Sequence, residues 1–318
     1  MQGFDLKRYN IILSEFDSFL ARTCKDNLYI TSDDISEWTA TRINDRKTTL
    51  YARQCVVSNF CRFMSRLGYE CYILSRTNTH ACQNYRPPTV FTHDQIQAIF
   101  NACDNLIMEK RYAKSIIIIM PALVRLLYST GLRINEALSI HNRDVDFQRR
   151  TITIKDAKNN HQRLAPINES LEIVLKQYLS YRSRITLPNI DHPDSCFFVS
   201  TLGRPCAAMT VYKHFYRIIE DSNIPRTSTQ LGPSLHSIRH TTAVHSMIKM
   251  AQDGRDLYSS LPSLSIFLGH KNVLGTESYV RLTQEMYPEV LKMDIDITDD
   301  LFTNLILKLN QEYESENN

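Results

Sequence analysis

The protein has 318 residues, 43% of them hydrophobic and 22% charged, which is typical of a soluble protein large enough to form two domains. The formal net charge of +3 does not by itself indicate a nucleic-acid partner. The longest apolar run, Ile116–Val124, contains Pro121 and is too short to span a bilayer, so it predicts a buried helix. Met1–Phe16 has four charges and no apolar segment, which excludes an evident secretion signal.

Charge and cysteine are distributed unevenly along the chain. From residue 285 onward, nine acidic residues stand against two basic ones, so residues 1–284 carry about +10. The eight cysteines form no C-x-x-C pair and no zinc spacing. This predicts reduced thiols in a cytoplasmic protein and no metal site.

The first segment, residues 1–82, is predicted to form a small helical domain. Apolar residues recur at helical spacing from Ile11 to Leu20, Thr31–Ser32 is a start signal, and Gly68 is a suitable C-cap for a third helix. Eight basic residues between positions 42 and 86 can follow a phosphate backbone, although a solvated helix face has the same composition. The candidate DNA contacts in this stretch are Arg42, Arg46, Lys47 and Arg53.

Residues 83–90, with Pro87–Pro88, are predicted to be an extended linker, and residues 91–298 a second domain. This domain opens with a capping box between Thr92 and Gln95 and continues as helices through Tyr128. Two short β-prone runs follow, with a turn between them, before the helical pattern returns. The predicted fold is therefore mainly α with a small β-sheet.

Two motifs early in this domain carry cations suited to phosphate binding. Arg133 follows a predicted helix end at Thr130–Gly131, and Glu136 lies one turn on, where it can hold the guanidinium. Lys158 lies at the turn between the two β-prone runs. Surface Arg–Glu pairs and solvated turn lysines are common, so neither motif is specific alone.

Two later motifs add imidazoles and a phenol. Ser234 is a plausible N-cap that would place His236 and Arg239 in the first turns of one helix. The H-x-x-R pattern also occurs at His214 and is expected about once by chance, so it decides nothing alone. Farther along, Leu268-Gly-His270 precedes Tyr279 by nine residues.

These side chains fit metal-free cleavage of a phosphodiester. Such cleavage requires a nucleophile, cations that stabilise the crowded phosphorus, and an acid for the leaving 5′ oxygen. Arginine stays protonated and matches two phosphate oxygens, and lysine can serve as the acid. A tyrosine attacks as a phenolate, so we expect the surrounding cations to lower its pKa.

In this order the motifs resemble the tyrosine recombinase, or phage integrase, family. The box around Arg133 is similar to the family's first-arginine box, and Lys158 lies eight residues before Pro166, where the family has its hairpin lysine. Leu235–His245 resembles the H-x-L-R-H-T-F-A-T-H box, and Leu268-Gly-His270 has the family's spacing to the nucleophile. The resemblance covers roughly residues 88–283 and extends more loosely to a core-binding N-terminal domain.

The resemblance implies a role for each of these side chains. Tyr279 would attack the phosphate to give a 3′-phosphotyrosine while Lys158 protonates the leaving oxygen. His236 would take the tyrosine proton and His270 would hydrogen-bond the phosphate. The phosphate oxygens would be held by Arg133 and Arg239, with Glu136 in support. No cofactor or metal would be needed.

The sequence departs from the family pattern in two places. His236 and His270 are 34 residues apart, about eight more than usual, with an insertion expected between Gln252 and Pro262. The usual paired threonines are absent between Asn272 and Ser278, so Tyr287 remains an alternative nucleophile.

The resemblance also implies partners. Family members act as tetramers on paired DNA sites, and the tail, residues 299–318, has an apolar stripe at helical spacing that would dock as a helix into a neighbouring subunit or its own. An accessory directionality factor is a further partner to be expected. We expect no additional arm-binding domain and a cytoplasmic, nucleoid-associated protein of a prokaryote.

Three functions remain open from the sequence. A recombinase of a mobile element, or one that resolves DNA multimers, fits the complete set of motifs best. A type IB topoisomerase would share the nucleophile and the cations but relax DNA as a monomer. A DNA-binding protein derived from a recombinase would lack catalysis.

Overall fold

The computed structural model of the protein describes residues 6–23, 29–45, 47–74, 88–107, 116–155, 162–185, 187–225, 232–270 and 273–287. The chain divides into two compact units, Met1–Tyr85 and Arg86–Asn318. The tail helix predicted for residues 299–318 lies outside the described residues.

The first unit contains three α-helices in its described part: α1 (Leu6–Arg22), α2 (Ser32–Ala40) and α3 (Lys47–Arg66). They pack around Trp38, which is fully buried with the ring of Phe16 edge-on at 5.1 Å. The predicted start of α2 is confirmed: the Thr31 hydroxyl accepts a hydrogen bond from the Asp34 amide, and the Asp34 carboxylate accepts one from the Thr31 amide.

The second unit is mainly helical, as predicted. Its described α-helices are α4 (His93–Asp104), α5 (Met120–Thr130), α6 (Ile134–Leu138), α7 (Glu169–Arg182), α8 (Ala208–Asp221), α9 (Leu235–Gln252), α10 (Leu257–Leu268) and α11 (Leu274–Met286). The predicted capping box between Thr92 and Gln95 and the predicted N-cap at Ser234 are both confirmed. No helix in the described ranges is long and apolar enough to cross a bilayer.

A three-stranded antiparallel sheet interrupts the helices. Strands β1 (Val145–Asp146), β2 (Thr151–Lys155) and β3 (Gln162–Pro166) pair in the order β1-β2-β3. The two predicted runs correspond to β2 and β3. Strand β1 was not predicted, because two residues are too few to show a strand periodicity.

Helices α5 and α9 form the centre of the second unit. Pro121 is tolerated because it occupies the first turn of α5, where its missing N–H has no helical partner to lose. The predicted buried helix over Ile116–Val124 is confirmed, but its first turn, Ile117–Ile119, is a tighter 3-10 turn. On the other side α9 packs against α5, α10 and α11, and this arrangement gathers the functional motifs.

Candidate functional site

The segment between α5 and α6 presents Arg133. Gly131 ends α5 in the left-handed conformation (φ +61°), and a Cβ there would lie 2.7 Å from the side chain of Leu268. Arg133 is the N-cap of α6, and its amide and Nη1 donate to the two carboxylate oxygens of Glu136 at 2.9 and 2.7 Å. The guanidinium is held in place while its side chain stays 44% exposed.

Arg239 is the buried counterpart of Arg133. It lies in the second turn of α9, is 2% exposed, and donates from Nη1 to the Gly131 carbonyl (2.6 Å) and from Nη2 to the Leu268 carbonyl (2.8 Å). Burial, and then the nearby charge of Arg133, lower its pKa to about 10. Arg239 therefore remains a cation at neutral pH and joins α9 to the ends of α5 and α10.

Arg163 on β3 is a third guanidinium at this site, and no sequence motif predicted it. Its Nη2 donates to Glu136 (2.9 Å) and to the Leu268 carbonyl (3.3 Å), so it shares one partner with each of the other two arginines. It lies against Gly269, where a Cβ would come within 2.4 Å of Arg163 Nε. No local pattern marked Arg163, because its partners are 27 and 105 residues away.

Two imidazoles project from the first turns of α9. His236, exposed, and His240, half-buried, pack edge to face with ring centroids 4.6 Å apart. Desolvation, and then the charges of Arg239 and Arg133, lower the pKa of His236. The pKa of His240 falls to about 4, through desolvation and then the neighbouring His236, Arg239 and His270. Both rings are neutral at pH 7.

His270 follows α10, which ends at Gly269 in the left-handed conformation. Its Nδ1 lies 2.7 Å from Oγ1 of Thr276, a fully buried residue in the first turn of α11. Burial, and then the arginines around it, lower the pKa of His270 to about 4. The expected insertion between Gln252 and Pro262 forms the end of α9, a turn and the first part of α10.

Tyr279 lies on α11 and is enclosed by these groups. Only 3% of it is exposed, its hydroxyl is 3.0 Å from Nδ1 of His240, and its ring is stacked on His270 with centroids 6.2 Å apart. The two arginines lower its pKa as expected, but burial outweighs them and the pKa is raised overall. The prediction of a lowered pKa is therefore wrong for this structure, because it left out the cost of placing a phenolate in a dry site.

The alternative tyrosine lies elsewhere on the same unit. Tyr287 follows the end of α11, and its ring is 6.5 Å from His245. Nδ1 of His245 in turn is hydrogen-bonded to the Tyr128 hydroxyl at 2.8 Å, and the His245 ring stacks on His93. Tyr279 is thus the tyrosine that the structure brings together with the predicted arginines and histidines.

The remaining predicted residues divide into two groups. Lys158 and Arg46 lie outside the described residues. In the first unit, Arg42 pairs with Glu15 (3.0 Å), Arg53 pairs with Glu15 (2.5 Å) and Asp45 (2.8 Å), and Lys47 is exposed at the start of α3. The two guanidiniums are thus partly neutralised within their own unit.

Comparison with known proteins connects this arrangement to a family. Residues 89–286 match the model of the phage integrase family. A putative integrase/recombinase of Sinorhizobium fredii (strain NBRC 101917 / NGR234), y4rB, is 26% identical over 298 residues, which is 91% of each chain. Tyrosine recombinase XerC of Bacillus subtilis (strain 168) is 31% identical over 165 residues, 52% of this chain and 50% of XerC.

Among solved structures, the XerH site-specific recombinase bound to its palindromic difH substrate, in a post-cleavage complex, has a TM-score of 0.64. The match covers 89% of this chain and 78% of that chain at 18% identity, so it concerns the fold alone. Since the family match covers more than half of the sequence, the chain belongs to the phage integrase family and is a tyrosine recombinase.

Proposed function

We propose that this recombinase cuts and rejoins double-stranded DNA through a 3′-phosphotyrosine formed on Tyr279. The observation that carries the proposal is the position of the Tyr279 hydroxyl, which lies 3.0 Å from an imidazole and inside the field of Arg239 and Arg133. A buried phenol with two cations and a proton acceptor beside it has the parts that nucleophilic attack on a phosphodiester requires.

The two arginines are assigned to the non-bridging phosphate oxygens. Each terminal nitrogen of a guanidinium has two N–H groups, and Arg239 uses one from each for a backbone carbonyl. It also hydrogen-bonds the side chain of Tyr279, so its remaining N–H donors lie beside the proposed nucleophile. The charge of Arg133 lowers the pKa of Arg239, so the two cations repel one another. A phosphodiester between them relieves this repulsion, and it does so most when charge develops in the transition state.

His270 is assigned to a phosphate oxygen through Nε2. Its Nδ1 faces the Thr276 hydroxyl, and a neutral ring that accepts there carries its proton on Nε2. We assign protonation of the leaving 5′ oxygen to Lys158, from the resemblance of its sequence context. The phosphotyrosine conserves the energy of the broken bond, so the cycle needs neither ATP nor a metal.

Tyr279→Phe tests the nucleophile. The variant is expected to bind its DNA site with wild-type affinity and to form no covalent adduct on a nicked substrate that traps cleavage. Tyr287→Phe is the matched control and should form the adduct as wild type does. An adduct in Tyr279→Phe would contradict the proposal.

We further propose that the chain exchanges strands between two sites as a tetramer in the cytoplasm of its host, in the integration or excision of a mobile element or in the resolution of DNA multimers. The names of the relatives include integrases as well as XerC, and they support both roles. An accessory directionality factor belongs to the same proposal, as does the docking of residues 299–318 on a neighbouring subunit.

The assay that separates these roles from a topoisomerase uses two plasmids, one with a single target site and one with two. Two-site exchange without rapid relaxation of the one-site plasmid supports recombination. Relaxation by a monomer, without exchange, would support the topoisomerase alternative. Removal of residues from Asp299 onward is expected to weaken assembly on two sites, and unchanged cooperativity would contradict docking on a neighbour.

A further inference from the structure

The proton acceptor for Tyr279 can be identified from the geometry of α9. Two histidines of this helix are candidates, and the one whose ring nitrogen lies at hydrogen-bonding distance from the Tyr279 hydroxyl is His240, at 3.0 Å from Nδ1. His236, which the family resemblance implied for this role, projects from the previous turn and is exposed. We infer that His240 is the general base that receives the Tyr279 proton. The inference rests on the proposed function.

The environment of His240 favours acceptance of a proton only when the phosphate is present. The groups that face it are His236 and Arg239 on its own helix, His270 at the end of α10, and Tyr279 on α11. Together with desolvation, the first three hold the ring neutral at pH 7, so Nδ1 can accept a hydrogen bond from the phenol. A phosphodiester anion beside Arg239 offsets these positive charges and stabilises an imidazolium.

The step balances with residues already assigned. The Tyr279 oxygen forms a bond to phosphorus, the bond from phosphorus to the 5′ oxygen breaks, the phenol proton moves to Nδ1 of His240, and Lys158 gives a proton to the 5′ oxygen. In religation the 5′ hydroxyl attacks, Lys158 regains its proton, and His240 returns its own to Tyr279. No oxidant, metal or nucleotide takes part.

A general base at His240 explains how the buried Tyr279 can act as a nucleophile although burial raises its pKa. Transfer of the proton to a neighbour in contact avoids a free phenolate in the dry site. His236 is then available as a further hydrogen-bond donor to the phosphate, since it is exposed beside Arg239 and Arg133.

The test compares His240→Ala and His240→Asn with wild type in single-turnover cleavage of a nicked substrate. Loss of a general base is expected to lower the cleavage rate by about 10²-fold or more, with site binding retained. His214→Ala, on α8, removes the histidine of the other H-x-x-R pair and should cleave at the wild-type rate. If both His240 variants cleave within about threefold of wild type, the inference is overturned.

Two chemical modifications, one of Tyr279 and one of the DNA substrate, distinguish a general base at His240 from a residue that only packs against Tyr279. Replacing Tyr279 by a fluorinated tyrosine of lower pKa is expected to reduce the defect of His240→Ala, because a more acidic phenol depends less on the base. A 5′-bridging phosphorothioate, whose sulfur leaves without an acid, is expected to rescue Lys158→Ala but not His240→Ala. A defect that the fluorotyrosine leaves unchanged, or that the phosphorothioate removes, would overturn the inference.

These results remain distinct from those that test the nucleophile. If Tyr279→Phe still forms an adduct, the proposed function fails. If Tyr279→Phe is inactive and the His240 variants cleave normally, only the assignment of His240 fails.

Discussion

At the scale of single residues, the site depends on side chains that hold other side chains. Glu136 receives hydrogen bonds from both Arg133 and Arg163, and the Leu268 carbonyl receives them from both Arg163 and Arg239. Arg163 therefore connects the exposed and the buried arginine. We regard it as a positioning residue, because neither its partners nor its place on β3 requires contact with DNA.

Arg163→Met is expected to lower the cleavage rate by about 10²-fold, since displacement by about 1 Å of the groups proposed to bind the phosphate has effects of this size. Arg163→Lys, which retains the positive charge and an N–H donor group without the planar fork of the guanidinium, should recover part of the rate. Arg149→Met, at an exposed position before β2, is the matched control. Single-turnover cleavage measures all three, and a wild-type rate in Arg163→Met would contradict the positioning role.

His245 makes the stability of the second unit depend on pH. Burial, and then His93, lower its pKa from 6.5 to about 4, so the unfolded chain binds more protons between these values. The contribution of His245 is complete above pH 6.5 and is lost as the pH falls toward 4. From pH 7.5 to 5 this loss is about 2 kcal/mol by the linkage of pKa to free energy.

The measurement is the free energy of unfolding in urea, followed by circular dichroism at both pH values. His240 and His270 have pKa values lowered to about 4 and act in the same direction, so the wild type should lose more than His245 alone contributes. In His245→Gln, which does not titrate, the difference between the two pH values should shrink by about 2 kcal/mol. An unchanged difference would exclude His245 as the cause.

At the scale of elements, Gly131 and Gly269 end α5 and α10 in the left-handed conformation, and they allow these helix ends to lie close to their neighbours. Gly269→Ala strains a residue with φ +69°, which costs about 1–2 kcal/mol, and directs a Cβ into Arg163. Gly254→Ala has the same kind of strain at φ +74°, with no atom within 4 Å of the new Cβ. Gly254→Ala is therefore a matched control, because it introduces the same backbone strain without displacing a neighbouring side chain.

Both variants are expected to lose similar stability in urea unfolding. Only Gly269→Ala should also lose cleavage, by about tenfold or more, because it moves Arg163 and the start of the His270 segment. Equal cleavage by the two variants would show that the contact with Arg163 does not position the site.

These elements also show what can be read from the sequence. The caps at Thr92 and Ser234, the end of α5 at Gly131 and the end of α10 at Gly269 were predictable, because a cap depends on residues three or four positions apart. The motif residues around Tyr279 were found through resemblance to a family rather than through local chemistry.

The contacts that organise the site were not predictable in this way. Arg239 reaches Gly131 across 108 residues, and His240 reaches Tyr279 across 39, so nothing near either residue indicates its partner. The raised pKa of Tyr279 has a similar origin, because it depends on burial between α9 and α11. His240 had one available signal: it stands directly after Arg239 in a box already identified.

At the scale of the whole molecule, the two units contribute different properties. The second carries the candidate chemistry, and the first has the basic stretch proposed to contact DNA. Within that stretch Arg42 and Arg53 are paired with carboxylates, whereas Lys47 is exposed. Among the described candidates Arg42, Lys47 and Arg53, Lys47 is therefore the one where a phosphate contact would require the least rearrangement.

Lys47→Ala is expected to weaken binding to all DNA sequences alike and to reduce the slope of log K against log salt by about 1. Lys176→Ala is the control, because that ammonium is paired with Glu172 at 2.6 Å. Binding isotherms at several salt concentrations provide the slopes. An unchanged slope in Lys47→Ala would remove this residue from the proposed surface.

The proposed mechanism depends on which protein atom becomes bonded to DNA. The most direct test is to trap the covalent complex on a nicked target site, digest protein and DNA, and identify the modified peptide by mass spectrometry. We expect a nucleotide 3′-phosphate on Tyr279, within the peptide of α11. A phosphate on Tyr287, or on any other residue, would contradict it.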